Sequence, residues 1–190
     1  MIYEFEELYL SNVFSNNHQD ISNRHTFRHM SVLQNILDLL DQHEITYQKT
    51  HHEATLTSED SARVRGEDLS SGAKAIVYKV QDEFYLFVLA ADRRLDPKKI
   101  KAYFKSLGKR VKKTRFANRE ELMTQTGLVP GSVPPFGKPI LPYDLYVDRS
   151  LLANTRISFN AGSLTDSIKM SLEDYVSVNG GELVDVVTGD

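Results

Sequence analysis

The chain has 190 residues, 41% of them apolar and 26% charged, which sets it at one globular domain with at most a short appendage and excludes an array of domains. No run of about 18 apolar residues is present to span a bilayer, and the absence of cysteine removes disulfides, thiolate metal sites and a cysteine nucleophile together, leaving cytoplasmic as the default location. The net charge of −3 would disfavour a nucleic-acid partner if it were evenly spread, but Arg93 to Arg115 holds 11 Lys/Arg against a single acid, Asp96.

Residues 1–30 open with acidic groups and lack the basic and apolar regions of a signal peptide. Without a sustained period they are expected to form a loosely attached leader, with Met30 as an alternative start and the domain running over 31–190. Ser31 stands as N-cap to a helix in which Val32, Leu33, Ile36, Leu37 and Leu40 recur at helical spacing, and the ITYQKT stretch follows as a strand. Thr57, with Ser58, Glu59 and Asp60 after it, predicts a helix start and Gly66 its end. KAIVYKV and FYLFVLA, separated by a polar turn, predict a hairpin.

Asp96 and Pro97 predict a second capped helix with Ile100, Tyr103, Phe104 and Leu107 inward and Gly108 as its stop. The opposite face carries Lys98, Lys101, Lys105 and Lys109 as a stripe suited to the phosphates of a polyanion, against the plain alternative of a solvated face. A strand at VKKTRF and a helix through REELMTQT lead to GLVPGSVPPFGKP, where four prolines and three glycines in 13 residues exclude helix and regular strand. Strands at DLYVD, RISFN and SIKM, a short helix near SLEDYVSV and a final strand at ELVDVV complete the pattern, that of a mixed α+β domain on a curved sheet.

No GxSxG elbow, HExxH, P-loop or GxGxxG is present, which removes most standard hydrolase and nucleotide-binding designs. His51 and His52 are adjacent on a strand end and point to opposite faces, so a shared metal is disfavoured and His52 is kept only as a residue bordering a pocket. Lys74 starts an apolar strand at the mouth of a sheet. The Gly131-Ser132-Val133-Pro134-Pro135 segment is stiffened by proline and opened by glycine, so it can aim backbone N–H groups at a carbonyl or phosphate oxygen, or simply serve as a rigid connection.

Lys74 within GAKAIVYKV, the GxxxP loop from Gly131 to Pro135, Asp148 within YVDRSL, and FNAGSLTDSIKMSLEDY occur in the order of the YbaK/prolyl-tRNA synthetase-associated domain family, which the chain resembles from near Ile45 to Val178. The resemblance implies an α+β fold on a mixed, partly barrel-like sheet and hydrolysis of amino acids from wrongly charged tRNA, in trans for stand-alone members; nothing in the sequence calls for a metal or a cofactor. It implies the acceptor end of a mischarged tRNA as partner, tRNA-Pro among the candidates, and an aminoacyl-tRNA synthetase as a further one. Carried over by residue, it makes Lys74 and Gly131 catalytic and places His52, Thr57, Ser132, Val133, Pro135, Asn160, Gly162 and Ser167 around the substrate.

Since aminoacyl esters are labile and the ribose 2′-hydroxyl can assist water, positioning and electrostatics can suffice without a nucleophile. Two positions depart from the family pattern. Ala75 follows Lys74 where some relatives carry threonine, and Ser167 stands where one branch has an acid; Asp166 is one residue away, on the opposite face of a strand. Those departures keep a rival open, a non-catalytic module binding a tRNA end, a nucleotide or a protein.

Overall fold

The computed structural model describes residues 31–189; the leader expected at 1–30 lies outside them. Five helices, α1 (Val32–Gln42), α2 (Ser58–Arg65), α3 (Pro97–Ser106), α4 (Arg119–Thr126) and α5 (Leu172–Asn179), accompany eight strands in the described chain. Strands β1 (Tyr47–His51), β7 (Asp166–Ser171) and β6 (Arg156–Asn160) form an antiparallel sheet in the order β1-β7-β6. The other five, β4 (Thr114–Phe116), β2 (Ala73–Val80), β3 (Glu83–Ala90), β5 (Asp144–Asp148) and β8 (Glu182–Val184), form a mixed sheet in the order β4-β2-β3-β5-β8, parallel at β3–β5 and β5–β8.

Local chemistry explains most boundaries. Ser31 accepts from the Gln34 N–H, Thr57 from that of Asp60, and Asp96 from those of Lys98 and Lys99, so three helices begin at side-chain caps. Asn118 and Glu121 form a reciprocal capping box on α4. The β2–β3 hairpin turns at Gln81 and Asp82, and its long apolar strand has a simple cause: β3 is covered on both faces. Leu86 and Val88 point into a first core with α1, β6, β7 and α5, while Tyr85, Phe87 and Leu89 point into a second, where α3 contributes Ile100 and Phe104.

Several expectations are revised. The strand at VKKTRF shrinks to Thr114–Phe116 because the Lys112 and Lys113 N–H groups donate to the Gln81 side chain, at 2.5 and 2.7 Å, rather than to a strand. Leu107 does not face inward; it is the C-cap of α3 and 50% exposed. Lys109 lies beyond the helix, which ends at Ser106, and its ammonium is held by Glu83 at 2.9 Å and by Tyr85 Oη. In place of one partly barrel-like sheet there are two open sheets, joined by a single parallel bridge between Gly72 and Ser158. Among the described residues no helix is long and apolar enough to cross a membrane.

Candidate functional site

That bridge marks where the edges of the two sheets approach. Strand β4 pairs with β2 at Tyr78 to Val80 and the Ala117 N–H adds a bond to the Val77 carbonyl, so the start of β2, Ala73 to Ile76, is open on that side, and β6 is an edge strand of the smaller sheet. A cavity of about 440 Å3 fills the gap, with Lys74 and Ala75 from β2, Asn160 from β6, Arg65 from α2, Gly131 from the Pro/Gly loop and Thr55 among its walls. Two apolar side chains that line it are well exposed, Leu56 at 73% and Phe116 at 59%. Phe116 is steadied by an edge-on contact with Tyr78, ring centroids 5.2 Å apart.

Lys74 and Gly131 therefore share one cavity although 57 residues separate them in the chain. The Lys74 ammonium donates to the Ala91 carbonyl at 2.9 Å and to that of Arg93, which uses two of its three N–H groups. Burial holds its pKa below the ordinary lysine value, offset in part by Glu59 and Asp92. Gly131 has φ +90°, and its N–H donates to no group among the described residues. Its carbonyl accepts from Asn160 Nδ2 at 2.8 Å.

From Asn160 a polar network runs beneath the cavity. Asn160 Oδ1 accepts from Arg65 Nη2 at 2.5 Å and from Ser167 Oγ at 3.1 Å. Arg65 Nε donates to Ser167 Oγ at 2.9 Å, and Ser167 Oγ lies 2.6 Å from His52 Nε2. The other ring nitrogen of His52, Nδ1, is 2.7 Å from the Glu53 carbonyl, which only accepts, so Nδ1 carries a proton. Burial lowers the Arg65 pKa, partly countered by Glu67, but the guanidinium stays charged. On the far side Asn160 Nδ2 reaches Thr55 Oγ1 at 3.4 Å, which in turn accepts from Ser61 Oγ at 2.9 Å.

The remaining positions divide. Thr57 and Val133 line the cavity, Thr57 with its hydroxyl engaged in capping α2. His52 and Ser167 sit in the network behind the wall. Ser132 is buried with its hydroxyl closing a turn onto Val129; Pro135 lends its carbonyl to Tyr175 Oη at 2.8 Å; Gly162, at φ +83°, packs so closely on Val32 that a Cβ would lie 2.9 Å from it. None of these three lines the cavity. Asp148, 1% exposed, accepts from the Ser150 and Val186 N–H groups and serves the fold. Asp166 binds His51 at 3.0 Å on the face opposite Ser167, as the strand alternation requires. Lys98, Lys101, Lys105 and Lys109 do not line the cavity either.

Sequence reasoning missed Arg65. A basic residue in the last turn before a glycine cap reads as a solvated partner of the helix terminus, and only the return of β6 and β7 beneath α2 turns it inward. Phe116 was legible only as a strand residue.

The family model described as the aminoacyl-tRNA editing domain matches residues 52–178. The multifunctional Ser/Thr-tRNA deacylase ProXp-y of Escherichia coli (strain K12) is 32% identical over 157 residues, covering 80% of this chain and 90% of the relative. Among solved structures, a candidate trans-editing enzyme for prolyl-tRNA synthetase superposes with a TM-score of 0.68 at 21% identity, over 85% of this chain and all of the other. The crystal structure of hypothetical protein APE2540 gives 0.69 at 24% identity, over 80% and 99%. With the editing-domain model matching most of the chain and the deacylase relative 32% identical over 80% of it, the protein belongs to the aminoacyl-tRNA editing domain family.

Proposed function

We propose that the protein is a trans-acting deacylase that hydrolyses the ester of a mischarged aminoacyl-tRNA, with serine or threonine as the acyl group. The observation that carries the reading is the convergence of Lys74 and the Gly131 loop on one cavity that offers donors but no activated nucleophile. Such a site suits an ester that needs only orientation and charge stabilisation. Thr55, Ser61 and Ser71 are among the residues that line the cavity, which supports a small, polar acyl group. The named activity of the Escherichia coli relative points the same way.

In this reading Lys74 has one N–H left for a substrate oxygen, the Gly131 N–H supports the ester carbonyl, and the exposed faces of Phe116 and Leu56 at the rim receive the terminal adenine. The aromatic face gives stacking without base readout, which a terminus shared by all tRNAs requires. The three lysines of α3 that have no side-chain partner among the described residues, Lys98, Lys101 and Lys105, are assigned to the phosphates of the acceptor arm.

The test is a panel of tRNAs charged with serine, threonine, alanine or proline, tRNA-Pro included as an acceptor, followed for amino-acid release by the purified protein. Seryl and threonyl esters are expected to be cleaved fastest. If every ester decays at its spontaneous rate, the chain is a binding module on the same fold.

A further inference from the structure

Arg65 is the group in this cavity that the deacylase reading leaves without a task. Its two hydrogen bonds go to neutral acceptors, Ser167 Oγ and Asn160 Oδ1, and not to a carboxylate. The acid that acts on it through space, Glu67, is itself engaged by Lys169 at 2.6 Å. Nη1, with two N–H groups, donates to nothing among the described residues, and the side chain lines the cavity. Burying a guanidinium whose hydrogen bonds reach no carboxylate is costly, and a half-used fork at a cavity wall is the arrangement expected of a residue completed by a ligand oxygen. Lys74 is less free, since two of its three donors are held by backbone carbonyls.

We propose that Arg65 contacts the substrate, its Nη1 donating to the carbonyl oxygen of the aminoacyl ester, while Nη2 acts through Asn160 to fix the Gly131 carbonyl. The proposal rests on the deacylase reading. As water adds, its oxygen bonds to the acyl carbon and the C=O π pair moves onto the carbonyl oxygen, where Nη1 meets the developing charge. Collapse of the adduct breaks the bond from the acyl carbon to the ribose oxygen, which takes up a proton originating from the attacking water. The products are the free amino acid and a tRNA with its terminal hydroxyl restored. A planar fork held at two points suits this task better than a flexible ammonium.

A phosphate oxygen of the tRNA terminus would satisfy the same donors, so the experiment uses two substrates, seryl-tRNA and seryl-adenosine, the second having the ester but no phosphate. Single-turnover deacylation is measured for wild type, Arg65→Lys and Arg65→Ala, with thermal melts to establish folding. Loss of one preorganised donor to an oxyanion should lower the rate constant about 10²–10³-fold on both substrates with little change in KM. Millimolar guanidinium should restore part of the Arg65→Ala rate and leave wild type unaffected.

A folded variant at the wild-type rate overturns the proposal, as does a loss confined to seryl-tRNA, which reassigns Arg65 to a phosphate. Loss that guanidinium does not rescue and that follows melting temperature reduces it to a structural role. Should wild type cleave no ester, the deacylase reading falls separately, and the contact is read from binding of the non-hydrolysable 3′-seryl-amido adenosine. Tenfold weaker binding to Arg65→Lys supports it, and equal affinity refutes it.

Discussion

Replacing Gly131 by alanine separates a backbone role from a packing role. The residue has φ +90°, and an added Cβ would meet Leu164 Cδ2 at 3.2 Å, with the Leu56 and Thr55 carbonyls at 3.7 and 3.9 Å. The leucine methyl is the end of a flexible side chain and can yield by a few tenths of an ångström, so the steric cost is small. The conformational cost is larger, about 1–2 kcal/mol for a Cβ at positive φ. Relaxing to negative φ instead would swing the carbonyl off Asn160 Nδ2 and give up a bond with a net worth of about 0.5–1.5 kcal/mol. Both routes predict a similar fall in melting temperature, about 2–8 °C for a domain of this size. Deacylation distinguishes them from a neutral turn, because the retained conformation sets a Cβ beside the Gly131 N–H where the ester would approach, and the relaxed one shifts the peptide itself. Differential scanning calorimetry paired with single-turnover release of serine should show the modest melting shift together with at least a tenfold loss of rate. A variant that melts lower yet turns over within twofold of wild type would refute the assignment and leave Gly131 as a turn residue.

Asn160→Asp keeps an acceptor for Arg65 but replaces the Nδ2 donor with an oxygen facing the Gly131 carbonyl; the melt should move little while deacylation falls, and unchanged activity would disconnect the network from the loop. Glu121 is held at a pKa of about 2, first by the Arg115 guanidinium and then by the Asn118 N–H. A depressed carboxyl pKa contributes stability that is fully present above its ordinary value of 4.5 and is lost as pH falls toward 2. The gap in urea midpoint between wild type and Glu121→Gln should therefore be constant near neutrality and close in acid, and a gap unchanged down to pH 2.5 would contradict the pairing. Replacing Lys101 and Lys105 together by glutamate should weaken all tRNAs alike and flatten the log–log salt dependence by about 0.7–0.9 for each phosphate the protein no longer neutralises, with seryl-adenosine hydrolysis preserved; retained affinity and slope would make the α3 face merely solvated.

The helices and the hairpin were legible because their signals are local. Ser31, Thr57 and Asp96 each supply a side chain to a nearby N–H, and Gly66 and Gly127 each take the left-handed conformation at a helix end. Lys74 and Gly131 were legible as motif residues, yet their shared cavity depends on strands paired across long stretches of chain, which no local signal encodes. The same reason hid Arg65, whose partners Asn160 and Ser167 are 95 and 102 residues away. The division into two sheets was equally invisible, since an alternating strand does not reveal which edge it will leave unpaired.

Lys74 and Asn160 belong to different sheets, and a single bridge at Gly72 and Ser158 couples those sheets by backbone. The span between the two halves of the cavity is otherwise set by the thickness of the apolar layer behind its wall, including Leu86, Ile157 and Ile168. Trimming or enlarging one of these side chains adjusts the aperture without altering any residue that meets a ligand. Substrate preference in this chain can therefore drift through changes in buried hydrocarbon alone, and a survey of specificity restricted to the cavity wall would overlook the calliper that sets its width.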